Sequence, residues 1–398
     1  MRDRGVVAND MRETFLMPEA RGKLEPLPSG NGFAFLPAPL PPEIDLGSDA
    51  IIAALGEANR AIGRLDGIRD LLPDMDMFLY LYQRKEALVS SQIEGTQSSL
   101  SDLFAYEADV TPTVPVDDVE EVSNYIAALN YALDAMKHLP LSSRLIRETH
   151  SRLMQGVRGS TKTPGEFRRS QVWIGGSNPS NARFVPPLHT RLADLMSELD
   201  TFIHADELSA TPLVKAAIIH AQFETIHPFL DGNGRLGRLL IPLYLIQGGV
   251  IEAPMLYISL YLKNRRAEYY DHLNATRAAD GWEPWIAFFL EGVTQTATAA
   301  YMSARTLRDL VTKDAQTVTE MGRTSATAFQ VHADISQHIL VTAPSVAKRT
   351  GLSANGARAA LKRLVDVGVI ETRQANKRDR IYIYQSALNV LAEGAEPL

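Results

Sequence analysis

The chain has 398 residues and no cysteine, which excludes disulfides, thiolate zinc sites and cysteine nucleophiles and permits a reducing compartment. A net charge of −7 gives the whole protein no basic footprint, so any contact with nucleic acid has to come from a local patch. The start, MRDRGVVANDMRETF, lacks the apolar core of a signal peptide, and no apolar run approaches the roughly 18–20 residues of a spanning helix. A soluble cytoplasmic protein of two or three domains is therefore expected.

Residues 1–46 are rich in Pro and Gly (Pro26-Leu27-Pro28, Gly30-Asn31-Gly32, Pro37 to Pro42) and read as a surface arm. From Ser48 the pattern turns helical: Ile51, Ile52, Leu55, Ala58, Ile62 and Leu65 recur at three or four residues, and Pro73 ends the run. The next helix starts near Met75 and runs into Ser90-Ser91-Gln92-Ile93-Glu94-Gly95, with Gly95 as its stop. Glu94 reads either as a solvated acid or, because a helix C-terminus disfavours negative charge, as an acid with a partner. Asp109 to Asp117 is a loop. Val119 to Met136 and Leu141 to Leu153 are amphipathic helices, the second carrying His150, which reads as a packed, hydrogen-bonded residue. Residues 47–140 thus form an N-terminal helical region.

Residues 157–187 differ in kind. Gln171-Val172-Trp173-Ile174 and Ala182-Arg183-Phe184-Val185 are rich in strand formers, with Gly175 to Asn181 between them, and predict a short hairpin with a long turn. Its edge could accept an extended peptide; the plainer alternative is a surface hairpin. Helices resume at Leu188 to Ile203, Pro212 to Ile226, then, past a break at a polar cluster, through to Leu245, and at Ile258 to Ala279 and Trp282 to about Leu307, completing a helical core over 141–310. A polar linker helix, 311–335, leads to the last domain, 336–398. There Pro344 to Thr350, a turn with Ser353 as N-cap, and Ala354 to Val367 give helix–turn–helix. Val369 to Thr372 and Arg380 to Tyr384 give two strands around the basic tip Arg373 to Asp379. That is a winged helix-turn-helix pattern. Between Ser345 and Arg380 nine basic residues face three acidic ones, a local excess that suits DNA; protein contact is the alternative.

One run concentrates chemistry: His227-Pro-Phe-Leu-Asp-Gly-Asn-Gly-Arg-Leu-Gly-Arg238. Gly232-Asn233-Gly234 lies just before a helical run, where small residues let backbone N–H groups converge on an anion and the helix start adds positive potential. Arg235 and Arg238, three apart, share a face and can fork onto phosphate oxygens. Asp231 plus substrate phosphates is a usual way to hold Mg²⁺. His227 can take a proton from a hydroxyl attacking a phosphoryl group. An anion nest, a metal ligand, a charge clamp and a base together describe phosphoryl or nucleotidyl transfer.

This run resembles the signature of Fic-domain proteins, HPFx(D/E)GNGRxxR, and the resemblance extends over roughly residues 50–295. It includes Phe223 to Ile226, Pro164 to Arg168, Tyr257 to Ser259 and Asn264 to Tyr270. It implies a mainly α fold: an all-helical Fic core with a short β-hairpin flap, joined here to the winged helix-turn-helix domain. It also implies AMPylation, with AMP passing from ATP to a Ser, Thr or Tyr hydroxyl of a target protein, the chain itself included, and pyrophosphate leaving. His227 would be the base and Asp231 the Mg²⁺ ligand. Gly232, Asn233, Gly234, Arg235, Leu236, Gly237 and Arg238 would line the phosphates, and Asn264 and Tyr270 the adenosine. Val172, Trp173, Ile174, Arg183, Phe184 and Val185 would form the target-binding flap. Ser90 to Gly95 fits the inhibitory pattern (S/T)xxxE(G/N), with Ser90 first and Gly95 last. Glu94 would there pair with Arg238 and block a productive γ-phosphate pose. The resemblance further implies a homodimer. Two alternatives stay open: a DNA-binding regulator whose Fic core only senses nucleotide, and an enzyme that also removes AMP.

Overall fold

The segment Leu213–Ile226 carries apolar residues on every side, the mark of a helix without a solvent face. In the computed structural model every one of these residues is buried. The structure describes residues 22–68, 75–108, 110–157, 159–205, 211–277, 281–322, 325–374 and 380–397. In chain order these contain β1 (Gly22–Pro26), β2 (Phe33–Pro37), α1 (Asp49–Asp66), α2 (Met75–Ile93), α3 (Leu100–Glu107), α4 (Val116–Ala135) and α5 (Ser143–Leu153). After a single 3₁₀ turn at His189–Arg191 come α6 (Leu192–His204), α7 (Pro212–Ile226), α8 (Asn233–Gln247), α9 (Ser259–Asn264), α10 (Arg266–Ala275) and α11 (Trp282–Thr319). The last stretch holds α12 (Ser325–His338), β3 (Leu340–Thr342), α13 (Ala343–Thr350), α14 (Ala354–Asp366), β4 (Glu371–Gln374), β5 (Arg380–Ile383) and α15 (Gln385–Ala392). Two compact units result, one from residues up to Ile62 with Ala127–Thr296, the other from Gly63–Ile126 with Ala297–Leu398. Their boundaries fall inside α1, α4 and α11.

In the first unit α7 packs against α8 and α6. Pro212 opens α7, where its fixed φ suits the first turn and its missing N–H costs nothing. Lys215, although buried, donates to the carbonyls of Ile203 and Ala205 and so satisfies the C-terminal end of α6. Trp285 on α11 is fully buried and donates to the Ala217 carbonyl at 2.9 Å.

The Pro- and Gly-rich start is not a loose arm. Residues 22–37 form the antiparallel pair β1–β2, with Gly22 opposite Pro37 and Pro26 opposite Phe33. Leu27 and Ala34 join Ala182 and Val185 in one apolar cluster, and the Phe35 N–H donates to the Val185 carbonyl at 2.9 Å. The signal was present in Gly30-Asn31-Gly32 ahead of Phe-Ala-Phe-Leu, a turn flanked by strand formers, but the surrounding prolines masked it. Residues 1–21 lie outside the described residues, as does Pro73.

The hairpin expected at 171–185 reduces to one bridge, Ile174 to Phe184, because Gly175 and Gly176 leave the strand conformation at once, with φ near +71°. The helix expected from Ile258 to Ala279 breaks at Arg265, whose backbone (φ −119°, ψ 40°) belongs to neither α9 nor α10. Conversely, α11 continues unbroken to Thr319 through the expected boundary near residue 310, since no Gly or Pro occurs after Gly292 in residues 293–319.

The second unit contains α2, α3 and everything from α12 onward. α12 packs on α13 and α14 and belongs with them; it is no linker. The capping pairs Ser99–Asp102 and Thr342–Ser345 start α3 and α13, and Ser353 caps α14 through the Gly356 N–H at 3.1 Å. Gly351 closes α13 in the left-handed region. β5 lies between β3 and β4 in an antiparallel sheet. Of the basic tip expected at Arg373 to Asp379, residues 375–379 lie outside the described residues and Arg373 belongs to β4. Of the other basic residues there, Arg349 is held by Asp334 through two bonds of 2.7 Å and Lys362 by Asp366 at 2.7 Å. Their charge is thus partly neutralised within the module.

Candidate active site

The turn between α7 and α8 places the motif. His227 caps α7 in the left-handed conformation (φ 49°, ψ 61°), its N–H still bonded to the Phe223 carbonyl. For a residue with a Cβ this costs about 1–2 kcal/mol, so the surroundings must hold it. Arg168 does. Its guanidinium is buried, and it donates from Nε to the His227 carbonyl at 2.9 Å and from Nη2 to the Pro187 carbonyl at 2.7 Å. Ser170 and Ile226 carbonyls complete the set, and the Arg168 N–H donates to Pro228. Burial pushes the guanidinium down to about 10, which leaves it charged at neutral pH. Among the described residues the partners of this cation are carbonyl oxygens, and they belong to the two chain segments that must meet.

The loop is then closed from within. Asn233 Oδ1 accepts the Phe229 N–H and its Nδ2 donates to the Phe229 carbonyl, both at 2.9 Å. His150 stacks on Phe229 with ring centroids 3.8 Å apart. The Gly165 N–H donates to His150 Nδ1 at 2.8 Å, so Nε2 carries the proton and donates to the Asp231 carbonyl at 2.9 Å. Burial pushes His150 down to about 4, which keeps it in this neutral tautomer. The packed, hydrogen-bonded histidine expected from sequence thus has a specific job, holding the motif loop in place.

Gly232 begins α8 at φ 76°, and a Cβ on it would meet Met154 Sδ at 2.7 Å. Its N–H donates to Asp231 Oδ1 at 2.8 Å, so the amides left for an anion are those of Asn233 and Gly234, which by helix geometry have no carbonyl one turn earlier. Asp231 Oδ2 accepts from Lys162 Nζ at 2.8 Å. Burial opposes the Asp231 charge, but Lys162, the Gly232 N–H and Arg235 outweigh it and hold the carboxyl below its usual range. Arg235 and Arg238 are both buried, at 3% and 2% exposure. Arg235 Nη2 lies 4.0 Å from Asp231 Oδ1. Glu224 Oε2 lies 3.9 Å from His227 Nδ1, where a carboxylate steadies an imidazolium formed by proton transfer.

Leu236 and Gly237, expected beside the nucleotide, have packing roles. Leu236 is fully buried with its N–H bonded to Gly232. Gly237 lets Glu224 approach α8, since a Cβ there would fall 2.3 Å from Glu224 Oε1. His220 bridges α8 to α10, bonding the Gly237 carbonyl and the Tyr269 hydroxyl at 2.9 Å each. Tyr270, half-buried, is the neighbour of that anchor, and Asn264 ends α9 in solvent. In the expected flap, Trp173 and Ile174 are exposed, Val172 is half-buried, and Arg183 pairs with Asp271 at 2.6 Å. Phe184 and Val185 instead face the core, with the Arg277 guanidinium 3.4 Å over the Phe184 ring. In the second unit Glu94 lies just past α2 and is exposed, Ser90 is fully buried, and Gly95 takes a φ of +106° that demands glycine. Gln92, two residues before Glu94, donates to the Ser98 carbonyl at 2.9 Å and the Ala395 carbonyl at 3.0 Å.

Comparison with known proteins bears on this site. Residues 52–134 match the Fic/DOC family N-terminal model, and residues 140–245 match the Fic/DOC family model. The fold resembles that of a Fic family protein from Desulfovibrio desulfuricans, with a TM-score of 0.55 at 21% identity over 86% of this chain and 98% of that one. It also resembles a Fic domain containing signaling protein from Bacteroides thetaiotaomicron, with a TM-score of 0.52 at 19% identity over 63% of this chain and 97% of that one. Residues 52–245 thus match, in two consecutive parts, the N-terminal and main models of the Fic/DOC family. Among curated relatives, the protein adenylyltransferase Fic of Aedes aegypti is 31% identical over 246 residues, 58% of this chain and 46% of the relative. That of Drosophila grimshawi is 29% identical over 231 residues, 58% and 43%. The chain spans less than half the length of these relatives.

Two outcomes follow from the site's anchors. Arg168→Met strips several buried carbonyls of their donor and should lower unfolding free energy by about 2–4 kcal/mol. Denaturant titration checks this, and a loss within ~0.5 kcal/mol, the size of an ordinary surface change, would contradict it. His220 is pushed down to about 4 by burial, the Gly237 carbonyl opposing and the Arg238 charge adding to the effect. Its folded value lies below the unfolded one near 6.5, so the unfolded chain binds more protons between about pH 6.5 and 4. Stability should therefore fall as pH drops through that window. In His220→Gln, which keeps a donor and an acceptor, the slope should flatten by up to about 1.4 kcal/mol per pH unit. An unchanged slope would contradict the assignment.

Proposed function

We propose that this chain transfers AMP from ATP to a Ser, Thr or Tyr hydroxyl of a target protein and that Glu94 restrains it. The observation that carries the reading is His227, held in a left-handed turn by Arg168 directly before an anion-binding helix start with two buried arginines. In this reading the hydroxyl oxygen attacks the α-phosphorus as its proton passes to His227. The bond from the α-phosphorus to the bridging oxygen breaks, and pyrophosphate leaves. The Asn233 and Gly234 amides and the α8 dipole stabilise the charge that develops. Arg235 and Arg238 hold the leaving phosphates, and their burial strengthens that interaction.

A divalent cation fits Asp231 in one mode only. Among the described residues no group of three or more carboxylates or imidazoles gathers, which suits Mg²⁺ held by one carboxylate and the substrate's own phosphates. Bound so, Mg²⁺ would neutralise phosphate charge. A target segment would add at residues 172–174, because the Val185 carbonyl already receives the Phe35 N–H.

Restraint rests on the match of Ser90 to Gly95 to the inhibitory pattern and on the anchoring of that helix end through Gln92. A carboxylate on Arg238 competes with the γ-phosphate for the same guanidinium, and each ~1.4 kcal/mol of competition is a factor of ten. With labelled ATP and Mg²⁺, wild type should label itself weakly and Glu94→Gly at least about tenfold more strongly. Labelling of Glu94→Gly no stronger than that of His227→Ala would sink the proposal.

A further inference from the structure

We propose that Lys162 is a placeholder cation at Asp231: its ammonium occupies the outward oxygen of the carboxylate, and a divalent cation binds there only by displacing it. The inference rests on the reading of Asp231 as the metal ligand.

Asp231 has two oxygens, and they are not equivalent. Oδ1 is turned inward, accepting the Gly232 N–H at 2.8 Å with Arg235 Nη2 4.0 Å away. Oδ2 is turned outward and accepts from Lys162 Nζ at 2.8 Å. The segment that delivers Lys162 is shaped to this carboxylate. A turn closed by the Lys162 N–H on the Gly159 carbonyl at 2.8 Å brings the backbone against Asp231. At Gly159, φ is +91°, and a Cβ would fall 2.9 Å from Asp231 Oδ2 and 2.7 Å from Met154 Cε. Only glycine allows that approach. On the other side of Lys162, Thr163 adopts a positive φ of 49°, and Gly165 bonds His150, which itself bonds the Asp231 carbonyl. Both ends of the segment are therefore tied to the residue whose charge Lys162 balances.

The side chains are placed for exchange. Lys162 is 49% exposed and Asp231 31%, so the ammonium can swing into water, where hydration replaces the weak exposed pair. A hydrated divalent ion approaching Oδ2 would bring two further positive charges against an ammonium already in contact with that oxygen. Mg²⁺ takes its oxygens at about 2.0–2.1 Å in strict octahedral geometry, which the bound ammonium obstructs. Without substrate the pair keeps Asp231 charged and compensated. A metal–triphosphate brings its own contacts to Arg235 and Arg238, which offset the loss of the pair while the ammonium turns out to water. The empty site is thereby biased against a bare divalent ion and toward one that comes with its nucleotide.

Part-exposed ion pairs are weak, so the expected effect is modest, about three- to fivefold. The experiment uses the full chain and a non-reactive ATP analogue, titrated with Mg²⁺ by calorimetry, with Mn²⁺ paramagnetic resonance as an independent count of bound ion. Lys162→Met should lower the half-saturating Mg²⁺ concentration about three- to fivefold, whereas Lys162→Arg, which can keep the pair, should stay near wild type. Lys162→Gln serves as a second charge-removing variant, and thermal melting confirms that each variant is folded. An unchanged half-saturating concentration in Lys162→Met overturns the proposal. A raised one also overturns it and makes Lys162 a phosphate ligand instead. If analogue binding ignores Mg²⁺ in both wild type and Asp231→Asn, the assignment of Asp231 fails and the placeholder falls with it.

Discussion

The turn at His227, on which the proposed chemistry rests, is held by one buried cation. Among the described residues the guanidinium of Arg168 has no carboxylate partner; it is solvated by the carbonyls of Ser170, Pro187, Ile226 and His227. Those oxygens come from two segments about sixty residues apart in sequence, and each would be an unsatisfied acceptor without it. The bond to His227 falls on the residue with the strained backbone. The cation thus offsets the cost of the left-handed turn at His227, and α8 begins six residues later. His150, Asn233 and His220 fix the remainder from three sides. The geometry of the site is set by side chain to main chain bonds, which hold backbone directions that packing alone would leave soft.

Much of this was legible in the sequence, and what was not has a physical reason. The run from His227 to Arg238 reads as a phosphate site because base, acid, glycines and arginines crowd into it, and the structure gathers these residues at one turn between two helices. The helices show because apolar residues recur at helical spacing. Arg168 and Lys162 could not be assigned, because their roles exist only across the fold: one bonds carbonyls, which every residue has, and the other meets Asp231 from 69 positions away. Leu236 and Gly237 were expected at the nucleotide because they sit inside the motif, but three-dimensional alternation along α8 turns them to the protein. The β1–β2 hairpin was hidden by prolines that suit its edges and ends. The strands expected at 171–185 failed for the opposite reason, since residues of high strand propensity pair at a single point when glycines redirect the chain.

The second unit joins residues near the middle of the chain to its far end. The helix α2, which ends at Ile93 just before Glu94, is bonded to Glu393 and Ala395 through Lys85 and Gln92. Tyr384 donates to Asp314 at 2.6 Å, tying the sheet to the end of α11. In the proposed scheme Glu94 is the restraint, so a ligand that shifted the C-terminal module would act on a helix to which that module is directly bonded. The module's own charge is less available than its composition suggests, since Arg349 and Lys362 are engaged by Asp334 and Asp366.

The central claim is that the His227 turn, held by Arg168, performs nucleotidyl transfer at the α-phosphorus. The most direct measurement compares ATP labelled at the α-phosphorus with ATP labelled at the γ-phosphorus, using protein freed of restraint at Glu94. Label should pass to protein from the α position only, in an acid-stable bond, and should vanish in His227→Ala. Transfer from the γ position, or transfer that survives His227→Ala, would contradict it.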